Sequence, residues 1–184
     1  MRYLQTFNFR YIVAVIFTII FLSPVAAWSA YKTNLSDTHI QSSLARHFPI
    51  REYAVFARVT LHEPQVILTH DSKDLLLIIP IDTNIPDQSE KRGHARIAVN
   101  MSYKPENGGL YLINPRVIEF QMPQISNEMS NELKAKISTI CMNSLPLVQI
   151  YKLKVKNLNH SLAKSALKSF YIEDGSISLV FGFD

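Results

Sequence analysis

An α+β domain, with a curved antiparallel sheet wrapped around one long amphipathic helix and short flanking helices, is the fold this sequence predicts. Three observations carry it. Runs with strand-like apolar patterning are separated by turn chemistry at HDSKD, PDQSEKRG and KPENGG. The segment QISNEMSNELKAKISTICMNSL switches to apolar residues three or four apart, which is helical spacing. The run GGLYLINPRVIEFQMP is apolar at both parities: Leu110, Leu112, Ile118, Phe120 and Met122 on one, Tyr111, Ile113 and Val117 on the other. Fully extended, Leu110 to Met122 would reach about 40 Å, and a helix of about twenty residues reaches roughly 30 Å. Elements of such comparable length predict long strands that curl around the helix.

The 184 residues are 47% hydrophobic, enough for one sizeable core and a single domain after the leader. The first 29 residues read as a secretory signal peptide: MRYLQTFNFR has two arginines and no acid, YIVAVIFTIIFL is apolar, and SPVAAWSA supplies a breaker and small residues. Cleavage fits after Ala27 or after Ser29, which places residues 30–184 in the periplasm. The alternative is an uncleaved inner-membrane anchor, since Tyr11 to Ala27 falls only slightly short of a spanning helix. Membrane association is expected only in that case.

The net charge of +4 includes Arg2 and Arg10. Without them the excess is small and scattered, which argues against a nucleic-acid partner. The densest group, Lys152, Lys154 and Lys156, repeats every second residue and reads as the solvated face of one strand. Cys141 is the single cysteine, so no intramolecular disulfide is available; set in the helical stripe between Ile140 and Met142, it reads as a small buried hydrophobe.

Along the exported part, LSDTHIQSSLARHF predicts a short helix capped by Ser36 or Asp37, with Ile40, Leu44 and Phe48 on one stripe and Pro49 beyond it. YAVFARVTLHEPQVILTH is a strand run broken at Pro64. In DLLLIIPIDTNI the face Leu75, Leu77, Ile79, Ile81 and Ile85 dominates, and Pro80 places the strand at an edge or a bulge. HARIAVNMSY alternates cleanly, with Ala95, Ile97, Val99, Met101 and Tyr103 on the dry side. The long helix carries Ile125, Met129, Leu133, Ile137, Ile140, Cys141 and Leu145, with Ser126 as cap and Pro146 as stop. LVQIYKLKV alternates again, NHSLAKSALKSF predicts a second short helix capped by Asn159, and FYIEDGSISLVFGFD predicts a hairpin through Glu173-Asp174-Gly175 that buries Ile177, Leu179, Phe181 and Phe183.

Together, TNLSDTHIQSSLARHF, VTLHEPQVILT, PENGGLYLINPRVIEFQ, the long helix and EDGSISLVFGF resemble the YceB-like family of bacterial envelope proteins, over about Thr33 to Asp184. The resemblance implies an antiparallel sheet around a helix, similar to tubular lipid-binding folds, an envelope location and no assigned activity. The family's lipoproteins carry a cysteine at the signal junction. Here the junction is Ala27-Trp28-Ser29-Ala30.

The six histidines show no ligand spacing with a carboxylate, and the acids Asp71, Asp74, Asp82, Asp87 and Glu90 fall at predicted turns and strand ends. No nucleophile elbow, phosphate loop or dinucleotide fingerprint is present. No catalytic residue, metal or cofactor is therefore predicted. The expected function is a binding module for a lipid or other apolar small molecule. Its predicted lining is Leu75, Leu77, Ile79, Ile97, Val99, Met101, Leu110 and Leu112 from the strands, with Met129, Leu133 and Ile137 from the helix. The alternative is a structural or interaction module that docks an envelope protein through an exposed apolar patch.

Overall fold

A computed structural model describes residues 31–153, 167–173 and 175–181. The strands among these residues form two antiparallel sheets where the sequence predicts one. The larger contains β2 (Ile50–Tyr53), β3 (Arg58–Leu61), β4 (Gln65–Ile67), β5 (Leu75–Asn84), β6 (Lys91–Lys104), β7 (Gly109–Gln121) and β8 (Gln149–Lys152). Its order is β2-β3-β5-β6-β7-β8, with β4 also paired to β5. The smaller has the order β1-β10-β9, from β1 (Tyr31–Ser36), β9 (Leu167–Glu173) and β10 (Ser176–Phe181). The C-terminal hairpin thus forms as predicted, with Ser176 opposite Glu173, but pairs with the N-terminal strand outside the large sheet.

One predicted boundary holds and another moves. α1 (Asp37–Ala45) starts after Ser36, one of its two predicted caps, whose Oγ accepts the His39 N–H at 3.3 Å, and Thr33 to Leu35 before it belong to β1. The second predicted short helix falls mostly outside the described residues, and the part within them, Leu167 to Phe170, is strand. Its cap Asn159, with Lys154, Lys156 and Phe183, also lies outside them.

Pro80 sits inside the sheet, paired with His94 of β6, where the sequence predicts an edge or a bulge. The irregularity lies in the neighbour: β5's other partner is split into β3 and β4 around Pro64. Leu61 pairs with Ile81, Gln65 pairs with Ile78, and the His62 N–H reaches the Pro80 carbonyl at 2.9 Å. A proline has no N–H to offer, so it fits where the ladder is already interrupted.

β7 explains its own double-sided apolar pattern. Against Ala98 and Asn100 of β6 it places Arg116 and Ile113, so Val99 alone faces both Asn114 and Pro115; against the adjacent Arg96 and Ile97 it places Glu119 and Val117, leaving Ile118 unmatched. Each extra residue is a bulge that shifts the parity of the residues beyond it. Asn114 takes a φ of 50° at the first, a conformation asparagine tolerates. The inward positions therefore run Leu110 and Leu112, then Pro115 and Val117, then Phe120 and Met122, while Ile118 is half exposed. Bulges also bend and twist a sheet, and these two lie in the middle of its longest pairing.

The large sheet curls into a half-barrel, and two helices pack on it. α1 touches both β4 and β8, at opposite edges of the sheet. The Gln41 side-chain amide donates to the Pro64 carbonyl at 2.5 Å and to Glu63 Oε1 at 2.8 Å, and its oxygen accepts the Val66 N–H at 3.1 Å. Ser43 Oγ lies 3.4 Å from the Ile150 carbonyl of β8. Unpaired edge groups are thereby satisfied by side chains. α2 (Asn127–Ser144), about 27 Å long, is capped by Ser126, whose Oγ accepts the Met129 N–H at 3.2 Å. It packs on β7, and Lys136 Nζ reaches Glu52 Oε2 of β2 at 3.5 Å. Its buried stripe is shorter than the periodicity predicts: Leu133, Ile137, Ile140 and Cys141 are buried, and no residue of its first turns is. Leu145 continues the stripe in a single 3₁₀ turn, Leu145–Leu147, that contains Pro146.

Candidate ligand-binding interior

Register places the concave face in rows. Leu77, Ile97 and Val117 align across β5, β6 and β7, as do Ile79, Ala95 and Phe120; Leu75 faces Val99, Met101 faces Leu112, and Tyr103 faces Leu110. Of the predicted lining residues, Leu75, Leu77, Ile79, Ile97, Val99, Met101, Leu110, Leu112, Leu133 and Ile137 share one buried cluster. Met129 stands apart from it, half buried, because the first turns of α2 do not descend into the core.

One row differs. Glu52, Val59, Thr83 and Lys91 are consecutive partners across β2, β3, β5 and β6, and Lys136 of α2 meets the row at Glu52. Thr83 is 0% exposed, continuing the buried face Leu75, Leu77, Ile79 and Ile81, and its Oγ1 has no hydrogen-bond partner among the described residues. Sequence reasoning passed over it, although the signal was there: a hydroxyl at the odd parity of an otherwise apolar face, between Ile81 and Ile85.

A half-open cleft of about 390 Å³ lies where the two sheets meet. Met101, Phe170 and Ile172 give it apolar walls, while Asp71, Lys73 and Asn100 give it a polar rim. Asp71, at a φ of 57°, donates its backbone N–H to the Ile172 carbonyl at 3.2 Å and so ties the loop to β9. Behind the rim, Asp74 accepts from Asn100 through one carboxylate oxygen and from Arg116 at 2.7 Å through the other. Met101 is the predicted lining residue that reaches this cleft. The cleft was illegible in sequence because the β9 residues that line it come from a different sheet.

Outside the barrel, His62 Nε2 lies 2.7 Å from Asp82 Oδ2, and Arg92 adds a longer contact to the same carboxylate at 3.7 Å. These groups are part-exposed, and no group of three or more His, Cys, Asp or Glu among the described residues could hold a metal ion. No helix among those residues is long and apolar enough to cross a membrane.

Cys141 is 2% exposed, and burial pushes its thiol up to about 12. The thiolate is the reactive form, so labelling of the native protein by a maleimide at pH 8 is expected to be slow and to become fast only in denaturant; prompt native labelling would place Cys141 elsewhere. The sign for stability comes from the same shift. The unfolded chain releases this proton near pH 9 and the folded one near 12, so stability falls as pH rises through that window.

Comparison with known families adds one match: residues 35–176 fit the family described as Protein of unknown function (DUF1439). The chain belongs to this family. The match begins in β1 and ends at the first residue of β10, so family membership covers the half-barrel, both helices and the cleft. No curated protein matches the sequence. The family's description assigns no chemistry, and the functional reading rests on the geometry.

Proposed function

We propose that this chain is an envelope binding module that holds a lipid or other apolar ligand between α2 and the concave face of the half-barrel. The observation that carries the reading is the continuity of apolar rows along β5, β6 and β7, with the cleft between the sheets reaching them at Met101. The large sheet curls as a half-barrel, and the first turns of α2 contribute no fully buried residue to the core. Pockets of this kind, apolar with a few polar groups at the rim, are the usual form of small-molecule sites. The resemblance to the YceB-like envelope family and the three-part N-terminal leader support the location. In this reading the mature chain begins near Trp28 or Ala30 and works in the periplasm.

A second reading, an interaction module without a small ligand, is favoured by the β2–β3 hairpin, where Val55 is 99% and Tyr53 69% exposed. Native mass spectrometry of the purified mature protein, followed by organic extraction, separates the two. A lipid adduct in the wild type that disappears in Ile97→Trp, with the melting temperature little changed, is the expected result. No adduct, together with a variant destabilised by overpacking of about 1–3 kcal/mol, would leave a fully packed core and favour the hairpin reading.

A further inference from the structure

We propose that Thr83 receives the polar end of an acyl-chain ligand, its hydroxyl donating to a carbonyl or carboxylate oxygen. This inference rests on the binding reading above and gives that ligand an orientation. Thr83 Oγ1 is fully buried on the concave face and has no partner among the described residues, and a buried polar group left unsatisfied is costly enough that native structures rarely keep one without a reason.

Its surroundings are graded. Toward Leu75 the inward face of β5 is wholly apolar for about 26 Å. Across the sheet, Thr83's own register row ends at Glu52, which is paired with Lys136, and at Lys91. An acyl chain laid along β5 would bury its methylenes against Leu77 and Ile79 and bring its carbonyl end to Thr83. A free carboxylate there would also be drawn to the Lys136 ammonium and would compete with Glu52 for it. That ion pair joins α2 to β2; Leu133, one turn before it, is fully buried, whereas residues 127–132 contribute no fully buried side chain. The part of the helix before Leu133 is therefore the part that can yield to a ligand without uncovering a fully buried residue.

The test uses the purified, delipidated full-length mature protein, wild type and Thr83→Val, which keeps the shape and removes the hydroxyl. Palmitic acid, its monoglyceride and hexadecyltrimethylammonium are titrated; the last has the chain but no acceptor oxygen. Expected in Thr83→Val are about tenfold weaker palmitate binding, unchanged hexadecyltrimethylammonium binding, and an unliganded melting temperature raised by about 3 °C. Tighter wild-type binding of palmitate than of the monoglyceride assigns the free carboxylate as the natural end; equal binding assigns the ester carbonyl. Unchanged palmitate affinity in Thr83→Val, or a lower unliganded melting temperature, overturns the role of Thr83 while the binding module stands. A wild type that takes none of the three probes overturns both.

Discussion

Phe181→Ala is expected to lower stability by about 3–5 kcal/mol, the range for truncating a buried aromatic side chain. Phe181 is 1% exposed in β10, and its ring meets Tyr103 of β6 edge-on, with centroids 5.6 Å apart and planes at 70°. Tyr103 belongs to the large sheet and Phe181 to the small one, so the contact joins the two layers at the row where Tyr103 faces Leu110. Edge-to-face pairs add their own increment beyond the area they bury. Urea denaturation should show a lower midpoint, and the melting temperature should fall by on the order of 10 °C. Phe181→Leu should recover most of the loss. A Phe181→Ala variant of wild-type midpoint would mean that the small sheet docks through other residues.

Leu44→Ala should cost about 2–5 kcal/mol. Leu44 and Ile40 are both fully buried on the inward stripe of α1, the helix that spans from β4 to β8. The outer residues of the same helix offer an internal comparison. Ser42 Oγ donates only to the Thr38 carbonyl within the helix, at 2.8 Å, and Ser42→Ala should stay within about 0.5 kcal/mol. Equal effects from the two substitutions in chemical denaturation would show that α1 lies on the sheet edges without contributing to the core.

Regular alternation was readable wherever a strand stayed in register. HARIAVNMSY and the odd face of DLLLIIPIDTNI occupy the inward positions that their parity assigns; Ser36, one of the two candidate caps, and Ser126 cap their helices. The long strand at 110–122 was legible as an anomaly only. Its mixed parity recorded two bulges, and a bulge has no fixed sequence signature beyond a residue such as Asn114 that accepts a positive φ. Long-range pairing was invisible for a different reason. β1 carries ordinary alternating residues, and nothing local in YKTNLS states that its partner is the last strand. The apolar rows of the candidate site came from parity, but Met129 did not, because periodicity assigns a face to a helix without saying how far along its axis that face remains covered. Thr83 and the cleft depend on which strands become neighbours, a fact held by topology alone.

The pairing of β1 with β10, with Tyr31 opposite Phe181, also constrains the order of assembly. β10 is the middle strand of its sheet, so β1 has no hydrogen-bonded neighbour there until nearly the whole chain is available. A chain delivered N-terminus first, by a ribosome or through a translocation channel, can form the hairpins of the large sheet early, because those contacts are local. It must carry Leu35 and the strand around it unpaired until Ile177 arrives opposite. Such distant closure is the slow kind of contact, and until it forms an exposed strand edge remains open to other chains. The fold therefore closes from its two ends, and a truncation that removes β10 would leave β1 and β9 without their common neighbour.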